Sequence, residues 1–200
     1  MQDQELVLQM RALITAAMRP DDVLDTMINE AAEGDHQGLA ACLVEFVVDH
    51  TCVAPTVGRP EDMLTFMVDA TLRVMDVAAQ VLGQDPAAFY RGLLSEASIT
   101  GDPTLPAAQA LLAAGLVSDE RLQAVVPLAA SGSHAVIESL GDVCLTAYSD
   151  AAEQHPRALL AVLLSAAIGI IGGLAQMAGC PPETVVTAYW EQLVLTDPST

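Results

Sequence analysis

The sequence predicts an all-α protein, and three observations carry that prediction. Apolar residues fill 52% of the 200 positions but only 4% are aromatic, so Ala, Leu and Val supply the apolar content. That mixture favours helices over sheets. Polar residues recur every three or four positions through long stretches, the period of a helix with one wet face. Proline, capping residues and glycine then punctuate the chain in the order of helix starts and stops.

The helical segments form two sets of five. Arg11 to His36 aligns without gaps with Gln109 to His134 at an offset of 98, and nine of the 26 pairs are identical, including Asp21/Asp119, Gly34/Gly132 and His36/His134. Asp62 to Gly83 aligns with Ala158 to Gly179 at an offset of 96, where Leu64, Ala70, Ala79, Gln80 and Gly83 recur as Leu160, Ala166, Ala175, Gln176 and Gly179. The expectation is a tandem duplication of a five-helix unit. Its parts are a helical repeat over 1–98, a linker over 99–106 and a second helical repeat over 107–200. The two fuse into one helical bundle with a central apolar helix at 158–179.

In chain order, the first helices cover about 4–17 and 105–116, with apolar residues at helical spacing. The second open at Pro20, followed by Asp21 and Asp22, and at Ser118, followed by Asp119 and Glu120, which puts negative charge at a helix amino end. Both stop at glycine, Gly34 and Gly132, and Pro127 is expected to kink the later one. Asp35 and Ser133 are the expected N-caps of third helices over 36–51 and 134–151. Fourth helices follow Pro60 and Pro156 and end at Gly83 and Gly179. Fifth helices run from Asp85–Pro86 to Glu96 and from Pro181–Pro182 to Leu195, and 197–200 is expected to fray.

The stretch 158–179 contains no charged residue and meets the length criterion for a membrane span. Its counterpart argues against that use. In 62–83 the residues Asp62, Thr65, Asp69, Arg73, Asp76 and Gln80 form a continuous polar stripe on a helix. The matching residues of the later copy are Ala158, Ala161, Ser165, Gly169, Gly172 and Gln176, a stripe of small side chains that lets another backbone come close. The expectation is a helix buried on all sides, by this chain or by a partner, and membrane insertion is disfavoured. Ala161, Ser165, Gly169, Gly172 and, from its aromatic character, Trp190 are the interface candidates.

With 26 acids against seven bases the formal charge is −19, and all seven bases are Arg. Such a surface repels phosphate backbones and anionic headgroups, which argues against nucleic acid. The absence of lysine excludes Schiff-base chemistry and a P-loop lysine. The amino terminus carries acids where a secretory signal carries bases, so a cytoplasmic location is expected. Cys42, Cys52, Cys144 and Cys180 lack metal-site or redox spacing and read as reduced thiols.

His36 and His134 occupy matching positions beside helix starts, and a pseudo-symmetric fold that joined them would offer a metal or proton-transfer site. They are weak candidates, because a histidine beside a cap is usually structural. Glu45, Asp49 and His50 are replaced in the other copy by Val143, Ala147 and Tyr148, and read as a solvated acidic face. No nucleophile elbow or phosphate loop is present, so no catalytic residue, cofactor or metal is expected. The expected function is a non-enzymatic helical protein–protein interaction module (an adaptor, inhibitor or immunity-type factor) that binds another protein or a second copy of itself. The alternative is a binder of a small apolar ligand in a cavity between the repeats, lined by Met and Leu.

Overall fold

A computed structural model describes residues 2–19, 22–53, 59–97, 104–130 and 133–196. Among these residues the chain forms ten α-helices and no strand. They are α1 (Gln2–Ala17), α2 (Leu24–Glu33), α3 (His36–Val53), α4 (Pro60–Val81) and α5 (Pro86–Ala97), followed by α6 (Leu105–Gly115), α7 (Asp119–Ala129), α8 (Ser133–Ala152), α9 (Pro156–Ala178) and α10 (Pro182–Thr196).

Local capping chemistry sets five of the helix ends. The Asp35 carboxylate accepts from the Gly38 N–H at 2.9 Å and opens α3, and the Asp85 carboxylate accepts from the Ala88 N–H at 3.0 Å and opens α5. The Ser118 hydroxyl accepts from the Arg121 N–H at 3.3 Å and opens α7. Each satisfies an amide that the first helical turn leaves without a partner. At the far ends of α4 and α9, Gly83 and Gly179 adopt φ of 63° and 64°. That conformation lets the next amide reach back to the helix, Gln84 N–H to the Ala79 carbonyl at 2.9 Å and Cys180 N–H to the Ala175 carbonyl at 3.0 Å.

Several ends depart from expectation. α2 starts at Leu24 rather than Pro20: Asp22 and Val23 are used in the turn from α1, while Pro20 and Asp21 lie outside the described residues. The acid in its first turn is therefore Asp25. α7 runs through Pro127 and ends two residues later at Ala129, so the bond Pro127 cannot donate is lost only in the last turn. Ser133, the expected cap of α8, is already its first residue. α6 begins at Leu105 and includes Pro106, so the expected linker gives its last residues to a helix, and its positions 99–103 lie outside the described residues, as does the tail 197–200.

The helices before the linker and those after it share one hydrophobic core. Its centre is made by α3, α4, α8 and α9, with α8 packed against both α3 and α4, and α9 against both as well. α8 lies close against α3 at Gly141, where an added Cβ would be 2.7 Å from Val48 Cγ2. Buried Thr71 on α4 donates to its own helix, to the Met67 carbonyl at 2.8 Å, and lies 3.5 Å from the Leu140 carbonyl of α8. Around this centre α1 packs on α3 and α9, α6 on α8 and α4, α2 on α9, and α7 on α4. Fully buried leucines such as Leu39, Leu43, Leu64, Leu111 and Leu112 fill the layers between them, each worth about 1.5–3 kcal/mol in water-to-core transfer.

The expectation that 158–179 is buried on all sides needs correction at the level of this chain. α9 buries Leu159, Leu160, Leu163, Leu164, Ala167, Ile170, Ile171 and Leu174 but leaves Ala158, Ala161, Ser165, Gly169 and Gly172 exposed. The physical reason is that freedom from charge is not the same as a need for burial. Ala, Ser and Gly present so little apolar surface that leaving them wet costs little. α9 is long and apolar enough to cross a membrane, and 50% of its apolar window is buried inside the protein.

Candidate functional site

The exposed face of α9 is built by spacing alone. Ala158, Ala161, Ser165, Gly169, Gly172 and Gln176 fall three or four residues apart, so they share one side of the helix, and all are exposed. Over 18 residues that strip is about 27 Å long. Arg157 at its beginning pairs with Asp25 of α2 at 3.2 Å. Beyond Arg157 the face carries no charge up to the end of the helix. Gly169 touches a neighbour: an added Cβ there would meet Phe66 Cε2 of α4 at 3.2 Å. Around Gly172 and Gly173 an added Cβ would meet nothing within 4 Å. The close approaches that glycine permits inside this chain occur elsewhere, at Gly141, at Gly38 against Leu6 and at Gly115 against Leu72.

Trp190 is not on a free surface. It is 7% exposed; α10 packs on α9, and its rings join a cluster with Phe46 of α3. Phe46 of α3 meets Tyr189 edge-on at 4.8 Å between ring centres, Tyr189 meets Trp190 at 5.2 Å, and the Arg11 guanidinium of α1 sits 5.7 Å from the Trp190 ring centre. Such contacts add to the area buried and hold the rings in defined orientations. The Trp190 indole N–H is buried without a hydrogen-bond partner among the described residues.

His50 is the functional-looking residue that the sequence reading misplaced. It sits one position from exposed Asp49 but points inward, 7% exposed, with its ring 4.1 Å from Phe46 and 4.6 Å from Tyr189. Successive helical residues are about 100° apart, so neighbours in sequence occupy different faces. The pair Phe46 and His50, four apart on one face of α3, was the available signal. His50 Nδ1 lies 2.7 Å from the Phe46 carbonyl, which only accepts, so Nδ1 carries the proton. Burial holds its pKa below the usual value, opposed by the Phe46 carbonyl and by the charge of Asp49.

The two matching histidines are not brought together. His36 Nδ1 lies 3.1 Å from the hydroxyl of Tyr148, near the carboxyl end of α8, whereas His134 is exposed at the amino end of α8 and pairs with Glu138 at 3.4 Å. Tyr148 and His134 are 14 residues apart on one helix, about 21 Å along its axis. Glu33, Gly34, Asp35 and His36 have the Glu-x-x-His spacing of helical metal sites, but α2 ends at Glu33 and α3 starts at His36, so the two side chains do not share a helix face. Among the described residues no group of three His, Cys, Asp or Glu side chains is placed to hold a metal ion.

Burial raises the Cys144 thiol to about 12 and that of Cys52 to about 11, the latter helped by Glu138 and Asp49, so both are protonated at neutral pH. The space where α3, α4, α8 and α9 meet is lined by Val44, Met67, Val74, Cys144 and Leu163 and measures about 10 Å³, no larger than one water-sized sphere. An apolar ligand has no room there. No protein-family model matches the chain, and neither a characterised protein nor a solved structure matches it at significance.

Proposed function

We propose that this chain is a non-enzymatic helical interaction module that docks a helix of another polypeptide, in the simplest case from a second copy of itself, against the exposed face of α9. One observation carries the reading: a chain of formal charge −19 keeps a strip about 21 Å long, from Ala158 to Gly172, free of charge and side-chain bulk, on a helix whose opposite face is anchored in the core. A glycine- and alanine-lined face admits a partner backbone closely, and such packing relies on many weak contacts that a single charge disrupts. The lysine-free acidic surface around it favours a protein partner over nucleic acid.

The architecture behind the module is, on the same reading, a duplicated five-helix unit. Two observations support it: the aligned segments at offsets of 98 and 96, and packing in which α1 on α3 and α9 is answered by α6 on α8 and α4, and α2 on α9 by α7 on α4. The α9 face would then be a surface that the earlier copy keeps polar.

Native mass tests the docking directly. Light scattering on the wild type is expected to exceed the 20.9 kDa of one chain. A Ser165→Asp, Gly172→Asp double variant, which copies Asp69 and Asp76 of α4 onto α9, is expected to return it to one chain with its helical circular dichroism intact. A larger mass that survives both substitutions would remove α9 as the docking face. A wild type of one chain would remove self-association.

A further inference from the structure

We infer that the groove between α1 and α2 is a second docking surface, which takes an acidic amphipathic helix of another protein. The groove is open to solvent, measures about 500 Å³, and is lined by Leu8, Arg11 and Arg19, by small residues of α1, and by Val23 and Met27 beside and on α2. Two independent features meet in it. Leu8 is 59% exposed and Val23 51% exposed, two large apolar side chains wetted in the lining of one groove. The groove also holds two of the seven arginines of a chain with 26 acids, and among the described residues no carboxylate lines it. Arg73 and Arg157 pair with carboxylates, whereas neither Arg11 nor Arg19 does so among the described residues. The stacking of Arg11 on Trp190 anchors its side chain without neutralising it.

Shape and charge together select the occupant. A small-molecule site encloses most of its ligand, whereas this groove lies open along α1, the form that receives a helix laid lengthwise. Arg11 and Arg19 are eight residues apart, about 12 Å along α1. Glutamates about two turns apart on an incoming helix would reach both guanidiniums, while leucines between them cover Leu8, Val23 and Met27. The aligned residues of the second half are Gln109 and Val117, and the Gln109 amide donates to the Leu94 carbonyl at 2.8 Å, so the aligned positions carry no cationic pair.

The test is fluorescence anisotropy with a labelled helical peptide about four turns long, carrying a leucine stripe and two glutamates two turns apart. A second peptide replaces both glutamates by glutamine. The full chain is expected to bind the glutamate peptide roughly tenfold or more tightly than the glutamine peptide. Arg11→Gln with Arg19→Gln should erase that preference, and Arg19→Gln alone or Val23→Glu should weaken binding without touching the Trp190 contact. Ser165→Asp with Gly172→Asp should leave binding unchanged, which separates this groove from the α9 face. Equal binding of the two peptides, no binding, a preference that survives the arginine substitutions, or displacement by dodecanoate equally from both peptides would each overturn the inference. So would a fall in native mass on replacing the arginines, which would assign the groove to a second copy of the chain.

Discussion

α4 and α9 expose faces whose residues align in sequence at an offset of 96, and they meet water in opposite ways. The α4 face carries Asp62, Asp69, Arg73, Asp76 and Gln80: Asp69 pairs with Arg73 along the helix at 2.9 Å, and Asp76 accepts from the Tyr90 hydroxyl, fastening α5 to α4. Among the described residues the α9 face makes no such side-chain bond. The following helix, α10, packs on α9 and joins α3 through a ring cluster of Phe46, His50, Tyr189 and Trp190. The comparison teaches that exposure and polarity are separate properties of a helix face: one exposed face can be charged and bonded within the chain, while another is uncharged and small.

Filling glycines should break or confirm that contrast most strongly. Gly141→Leu drives a side chain into Val48 at the α3–α8 crossing, and is expected to cost about 3 kcal/mol or more in urea unfolding. Gly172→Leu meets open space, and is expected to leave the stability of the single chain within about 1 kcal/mol of wild type. Equal losses at the two sites would mean that α9 is covered after all.

The anchorage of α10 should respond to acid. The folded pKa of His50 lies below its ordinary value because burial disfavours the charged form, so its contribution to stability is fully present above pH 6.5 and declines as pH falls below it toward the folded pKa. Fluorescence of Trp190, the single tryptophan, should change over that range in the wild type and lose this component in His50→Phe. An unchanged profile in the variant would clear His50 of the role. The matching fastening of α5 is tested by Tyr90→Phe, which removes the hydroxyl bonded to Asp76 and should cost about 1 kcal/mol.

Smaller effects refine the comparison. Gly172→Ala should raise stability by about 0.5–1 kcal/mol, because alanine restricts the unfolded chain and is a better helix former and its methyl meets no neighbour. On the wet face of α4, Arg73→Ala breaks only an exposed pair, and a loss under about 0.5 kcal/mol is expected. A larger loss there would show that the α4 charges bear on the fold as well as on solubility.

Much of the fold was legible residue by residue. Asp35, Asp85 and Ser118 open helices and Gly83 and Gly179 close them by bonds to atoms a few positions away. The site was less legible. His50 looked like part of the Glu45 and Asp49 face because the three are close in sequence, Trp190 looked like an interface anchor, and His36 and His134 looked joinable because they align. Each depended on which helix lies alongside: α10 covers Phe46 and His50, and Tyr148 near the far end of α8 meets His36.

By itself, then, the chain's residue order determined the helices, most of their ends and the apolar side of each, since capping, backbone conformation and side-chain period act within one or two turns. The tertiary structure alone decided that Trp190 goes inside, that Gly141 rather than Gly172 is where two helices press together, and that the small-residue side of α9 meets solvent. Alanine, serine and glycine are nearly indifferent to water, so the location of such a face is settled by how large neighbouring side chains pack the opposite one.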